Sequence, residues 1–150
     1  MIRNEPPDMH PQAMVEQFHR LFDIVVQERP DLVDERTRVL RERLIQEEFD
    51  ELKEAMGKGD LPAIAKELAD LLYVAYGTAV SYGIDMTPVF REVHRSNMSK
   101  IGGYKREDGK WVKPPTYSPA TIAPILDEQQ APRERMLESS DPCEEVEPRA

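Results

Sequence analysis

Cysteine is almost absent from this chain: Cys143 is the only one in 150 residues. No disulfide can form within the chain, and no cysteine zinc cluster is possible. Long apolar runs are missing as well. The longest, about Leu71 to Ala79, falls far short of the roughly 20 residues a membrane helix needs. The opening residues, MIRNEPPDMH, hold no apolar stretch of signal-peptide type. The third shortage is positive charge. Lys and Arg number 20 against 29 Asp and Glu, a formal charge of −9. That balance excludes a general nucleic-acid binder, which displaces phosphate counterions with a basic face. A small anionic substrate stays compatible, because a bound divalent cation reverses the local field. The expectation is a soluble, cytoplasmic protein with no membrane and no nucleic-acid polymer among its partners.

What is present is unevenly spread. Seven of the 13 prolines fall after residue 113, and Asp127 to Ala150 carries eight acids against three arginines. A stretch so acidic and proline-rich cannot bury enough surface to offset its own ordering entropy. It reads as an extended acidic tail, and the chain divides into a domain over 1–117 and a tail over 118–150.

Between about residues 12 and 99 the apolar spacing is helical. Pro11 suits a first turn, and Met14, Val15, Phe18, Leu21, Phe22, Val25 and Val26 continue the pattern until Pro30-Asp31 breaks it. A second helix runs from about Glu35 to Met56 and stops at Gly57 and Gly59. Asp60 is a candidate N-cap for a third, with Pro62 in its first turn and Gly83 at its end. This third helix is apolar almost all round after Asp70 and should be the central, most buried one. Thr87 and Pro88 look like the cap and first position of a fourth, which fades by Ser99. Beyond Gly102-Gly103, Asp108-Gly109 carries a type I′ turn signal between basic flanks, so a short hairpin and a mobile basic loop both fit. The fold class is therefore all-α, of four-helix bundle type. So small a unit buries more by pairing with a second copy, and a homodimer is expected.

The informative feature is acid inside helices that should be packing. Glu47, Glu48 and Glu51 sit mid-way along the second helix, and Glu67 and Asp70 lie in the apolar third. Residues three apart share a helix face, which pairs Glu48 with Glu51 and Glu67 with Asp70. A short link makes the two helices antiparallel neighbours. Counting outward from it, Glu51 matches Glu67 and Glu48 matches Asp70, so four carboxylates meet. A solvated acidic face would account for the second-helix pair alone. Asp70 resists that account, because an unpaired charge among apolar neighbours is costly. Magnesium relieves the repulsion: it prefers hard oxygen ligands and shares its shell with phosphates. The histidines His10, His19 and His94 show no metal spacing with one another, so nothing points to zinc.

Glu47-Glu48-x-x-Glu51, fifteen residues, then Glu67-x-x-Asp70 resembles the signature of the MazG-like all-α nucleoside triphosphate pyrophosphohydrolases, including the dimeric dUTPase branch. The likeness covers about residues 12–117 and is strongest from 44 to 76. It implies a helical bundle that dimerises or tetramerises and uses Mg²⁺ (Mn²⁺ is possible), two or more ions per site. The implied reaction splits a nucleotide between its α- and β-phosphates into a monophosphate and pyrophosphate. By the same resemblance Glu48, Glu51, Glu67 and Asp70 are metal ligands, and Glu47 handles the attacking water or helps hold a further ion. Ser96-Asn97-Met98-Ser99-Lys100, Asp108-Gly109-Lys110 and Lys113-Pro114-Pro115-x-Tyr117 resemble the family's segment after the last bundle helix. Asn97 and Lys100, with Arg106, Lys113 and Tyr117, are then the substrate-binding candidates. His94 is read as a helix-surface residue, Trp111 as a pin for the loop, and Tyr73 and Tyr76 as core.

The implied substrate is dUTP, from the likeness to the dimeric branch. The enzyme alternatives are another non-canonical dNTP or phosphoribosyl-ATP; the non-enzyme alternative is a cation-binding helical interaction module. A P-loop enzyme is excluded, because Gly102-Gly103 alone is no phosphate cradle.

Overall fold

The computed structural model of the protein describes residues 10–131. Helix α1 spans Pro11–Leu21, α2 Glu35–Lys58, α3 Leu61–Ser81 and α4 Met86–Met98; strands β1 (Tyr104–Lys105) and β2 (Trp111–Val112) and helix α5 (Ala123–Gln130) follow. The chain is mostly helical, as its periodicity predicts.

The helix ends follow local chemistry. α1 stops at Leu21, short of the Val26 that apolar spacing suggests. Asp23 adopts a left-handed φ of 59°, a conformation a short polar residue tolerates better than most. The Val25 carbonyl is then drawn inward, 3.0 Å from His19 Nδ1 and accepting from Ser81 Oγ at 3.2 Å. Asp34 caps α2, Asp60 caps α3 and Asp85 caps α4, each carboxylate accepting a backbone N–H within the first turn. The α4 cap is therefore Asp85, not Thr87: the carboxylate accepts from Thr87 N at 2.9 Å, which places Thr87 inside the helix. Gly83 ends the α3–α4 turn at a φ of 69°, with the Arg29 carbonyl so near that a Cβ would lie 2.2 Å from it. Only glycine fits there.

Both α1 and α2 pack against α3. α2 and α3 form an antiparallel hairpin whose seam buries Leu52, Ala55, Ala79 and Val80, with Val15 of α1 beside them. α4 makes no extensive helix–helix packing within the described residues, so the four-helix bundle expected of one chain does not close. Nor is α3 buried all round. Its stripe of Leu68, Leu72, Ala75, Tyr76 and Ala79 opens to solvent over its first half, where Leu72 is 59% exposed, and Phe90 of α4 is 69% exposed. Tyr76 is half-buried, edge-on to His10. Tyr73, read as core, packs its ring edge on Phe18 yet keeps 39% of its surface.

The basic stretch forms a hairpin. Tyr104 pairs with Val112 and Lys105 with Trp111. The turn differs from the type I′ expected of Asp108-Gly109: only Gly109 has positive φ, and Gly109 N donates to Arg106 O while Arg106 N donates to Lys110 O. That is the longer hairpin loop in which a left-handed glycine follows an ordinary turn. Trp111 pins it, its Nε1 donating to Lys100 O at 2.8 Å.

The tail expected from residue 118 begins as ordered structure. Residues 117–130 run back along α4 and include α5, which ties down the α3–α4 turn: Gln129 accepts from Asp85 N at 2.9 Å and donates to Asp85 O at 3.0 Å. The remainder of the expected acidic tail, 132–150, lies outside the described residues, as do residues 1–9.

Candidate active site

The α2–α3 hairpin has a register that decides which charges meet. Arg41 lies against Gly77, and Glu48 lies with Asp70. Seven residues separate each pair on both helices, two turns along one face. The α2–α3 turn lies beyond Glu51 and Lys66, which approach to 4.0 Å.

Carboxylate oxygens of Glu48, Glu67 and Asp70 lie within 4.8 Å of one another. Glu67 is buried, while Glu48 and Asp70 are half-buried. Desolvation raises the Glu48 pKa, and the charges of Asp70 and Glu51 raise it further. Glu51 sits at the rim, exposed and turned toward Lys66. Glu47 stays outside the cluster, exposed on α2 and 3.9 Å from Arg43. Of the five acids singled out by sequence, three converge, one borders them and one, Glu47, lies outside the cluster beside Arg43.

Lys66 was not singled out. Its ammonium lies 2.8 Å from Asp70 Oδ2 and 3.2 Å from both Glu67 oxygens. These acids push the Lys66 pKa well up. A lysine adjoining Glu67 in an apolar helix was the available signal.

The donor set suits a hard divalent cation: three carboxylates at ligand spacing, with no imidazole or thiolate among them. The second polar cluster of the seam does not. Arg41 is 5% exposed and His19 2%, with Arg41 Nη1 3.3 Å from His19 Nε2. Arg41 Nε finds no hydrogen-bond partner among the described residues. Burial lowers the pKa of both groups. Gly77 makes room for them, since a Cβ there would lie 2.9 Å from His19 Nε2.

The substrate-binding candidates gather elsewhere. Lys100 Nζ donates to Asn97 Oδ1 at 2.7 Å, and Lys113 Nζ stands 4.1 Å over the Tyr117 ring. Ser96 donates to the Tyr117 oxygen at 3.3 Å. That bond, with Lys113 and Lys100 nearby, lowers the Tyr117 pKa. Arg106 is apart from these four, paired with Asp108 in the hairpin turn. His94 is an exposed helix-surface residue, as read. An apolar cleft of about 410 Å³ between α3 and α4 is lined by Leu72, Tyr76, Met86 and Phe90, on the side of α3 away from the carboxylates.

An all-α chain that gathers carboxylates across an antiparallel helix pair has the architecture of the MazG-like nucleoside triphosphate pyrophosphohydrolase superfamily. Within it, the family described as phosphoribosyl-ATP pyrophosphohydrolase matches residues 15–97, more than half of the chain, and the protein belongs to that family. Its activity is pyrophosphohydrolysis of a nucleotide, typically dependent on a divalent metal. No curated protein matches the chain. No helix among the described residues is long and apolar enough to cross a membrane.

Proposed function

We propose that the protein hydrolyses a nucleotide between its α- and β-phosphates, releasing a monophosphate and pyrophosphate, with Mg²⁺ or Mn²⁺ as cofactor. The convergence of Glu48, Glu67 and Asp70 carries this reading. Carboxylates at that spacing repel unless a cation sits among them. Glu48, Glu67 and Asp70, with Glu51 at the rim, are the proposed ligands. Bound there, two or more such ions supply charge neutralisation for the α-phosphate and the leaving pyrophosphate.

The remaining roles belong to the chain. Glu47, free of the ligand set, takes the proton of the attacking water. Asn97, Lys100, Arg106, Lys113 and Tyr117 hold the phosphates and exclude bulk water. A second copy covers the apolar stripe of α3 and α4; the exposure of Leu72 and Phe90 supports this. Leu72→Asp should convert the dimer to monomer in light scattering, and a monomeric unaltered chain would remove the proposal.

Two substrates stand. dUTP rests on the likeness of residues 44–76 to the dimeric dUTPase branch, whereas phosphoribosyl-ATP is supported by the description of the matched family. The deciding experiment measures pyrophosphate release from dUTP, other dNTPs and phosphoribosyl-ATP, with Mg²⁺, Mn²⁺ or EDTA. Preferred cleavage of one substrate assigns the specificity. No release from any, with the melting temperature still raised by Mg²⁺, would reduce the protein to a cation-binding helical interaction module.

A further inference from the structure

α4 has a partner within the chain, and it is not a helix of the bundle. From Tyr117 to Gln130 the chain retraces α4 in reverse. Tyr117 meets Ser96 at 3.3 Å, Ser118 N donates to Ser99 Oγ at 2.8 Å, and Thr121 N donates to Glu92 Oε1 at 2.9 Å. Gln129 then brackets Asp85 at the start of α4. The fastening centres on two α4 residues. Glu92 makes a two-bond ion pair with Arg95, both contacts at 2.8 Å. Arg95 in turn donates to Ser118 Oγ at 3.1 Å and to Pro119 O at 3.0 Å. The Arg95 pair and the Thr121 N–H hold the Glu92 carboxyl down to about 2, so this buckle stays charged at every working pH. The whole segment lies beyond residue 97, where the family match ends.

The buckle sits beside a composite cationic face. Asn97 and Lys100 come from the end of α4 and the turn after it, Lys113 and Tyr117 from the start of the returning segment, and the contacts of Ser96 and Ser99 join the two. Two separate stretches can present one phosphate-binding surface only while they are held in register.

We infer that Glu92 and Arg95 are positioning residues, lashing segment 117–130 to α4 so that Asn97, Lys100, Lys113 and Tyr117 form a single site for a polyphosphate chain. The inference deepens the proposed function, since it rests on those four residues holding substrate. It does not require Glu92 or Arg95 to touch the nucleotide. The Arg95 guanidinium makes four bonds, two to the Glu92 carboxylate and one each to Ser118 Oγ and Pro119 O, one more than the three N–H donors of an ammonium supply.

The test uses the full chain with Arg95→Ala, Arg95→Lys and Thr121→Pro, the last removing the N–H that Glu92 accepts. Three readouts are taken: amide exchange over 86–98 and 117–122, calorimetric binding of inorganic tripolyphosphate without metal, and the separate kcat and KM of whichever nucleotide is cleaved. Arg95→Ala should speed exchange across both segments, weaken tripolyphosphate about tenfold, and raise KM by a like factor with kcat and Mg²⁺ affinity unchanged. Arg95→Lys should recover part of each loss, and Thr121→Pro should give a smaller loss of the same kind. Unchanged exchange over 117–122 in Arg95→Ala would overturn the lashing. Faster exchange with unaltered tripolyphosphate affinity would overturn the positioning role. If the unaltered chain cleaves no nucleotide, the proposed function fails while the tripolyphosphate comparison still decides this one.

Discussion

The α2–α3 seam holds two charged clusters two helical turns apart, and they are built on opposite plans. At one, Arg41 and His19 are closed off from solvent, with His19 held between the Val25 carbonyl and the guanidinium. At the other, Glu48, Glu67 and Asp70 lie within 4.8 Å of one another at a half-open edge, with the exposed side chain of Lys66 as their cation. The same hairpin register produces both. The closed cluster is almost wholly shielded from water among the described residues, and glycine at 77 clears space for the arginine and histidine. The open cluster carries more negative charge than its lysine neutralises, and water can reach it. Burial of charge by itself therefore singles out no candidate site; the open cluster is the candidate because it combines excess charge with access.

The largest expected effect breaks the acidic end. Asp70→Asn should abolish pyrophosphate release while circular dichroism stays helical, because it removes one charge from a repelling set at nearly constant volume. Unfolding of Asp70→Asn would instead make Asp70 structural. Glu47→Gln should follow, lowering kcat about 10²- to 10⁴-fold while calorimetric Mg²⁺ affinity persists. Lost metal affinity in that variant would make Glu47 a ligand and move it into the cluster.

Breaking the basic end should cost stability rather than chemistry. Gly77→Ala drives a methyl to 2.9 Å from His19 Nε2 and 3.1 Å from Arg41, for which about 1–3 kcal/mol of destabilisation in urea titration is expected. A stability equal to that of the unaltered protein would show that the cluster yields freely.

The pH response of the same cluster is milder and has a definite sign. Desolvation holds the folded His19 pKa below its ordinary 6.5, so the unfolded chain binds the proton more readily. The stability His19 contributes is complete above 6.5 and is lost as pH falls toward the folded value. In metal-free protein the melting temperature should decline over that window, and His19→Gln should flatten the decline. An unchanged slope in His19→Gln would assign the acid response to other groups. The smallest effect is Gly57→Ala near the end of α2, where a Cβ meets nothing within 4 Å; about 0.5–1 kcal/mol of added stability is expected from helix propensity. A loss of stability in the same urea titration would contradict an open position there.

Much of this was legible in the chain itself. Asp60 sits where cap chemistry demands, and the spacing of Glu48 and Asp70 from the α2–α3 link is arithmetic on a 1.5 Å rise, so their meeting follows from sequence. What failed did so where a distant group competes with a local preference. α1 ends early because the Val25 carbonyl is claimed by His19 and by Ser81 of α3. The start of the tail is ordered because Glu92, Arg95 and Asp85 of α4 accept or donate along it, partners that composition does not disclose.

The sequence alone determined the helices, the Asp60 cap and the face on which the acids stand, since those depend on residues a few positions apart. Only the tertiary structure decided that Lys66 joins the cluster and that Glu47 lies outside it. The same holds for Arg41 burying itself against histidine and glycine, and for α4 pairing with residues 117–130 rather than with α3. Each of these turns on how side chains from separate elements share space and hydrogen-bonding capacity, and pairwise competition of that kind has no signature in local spacing.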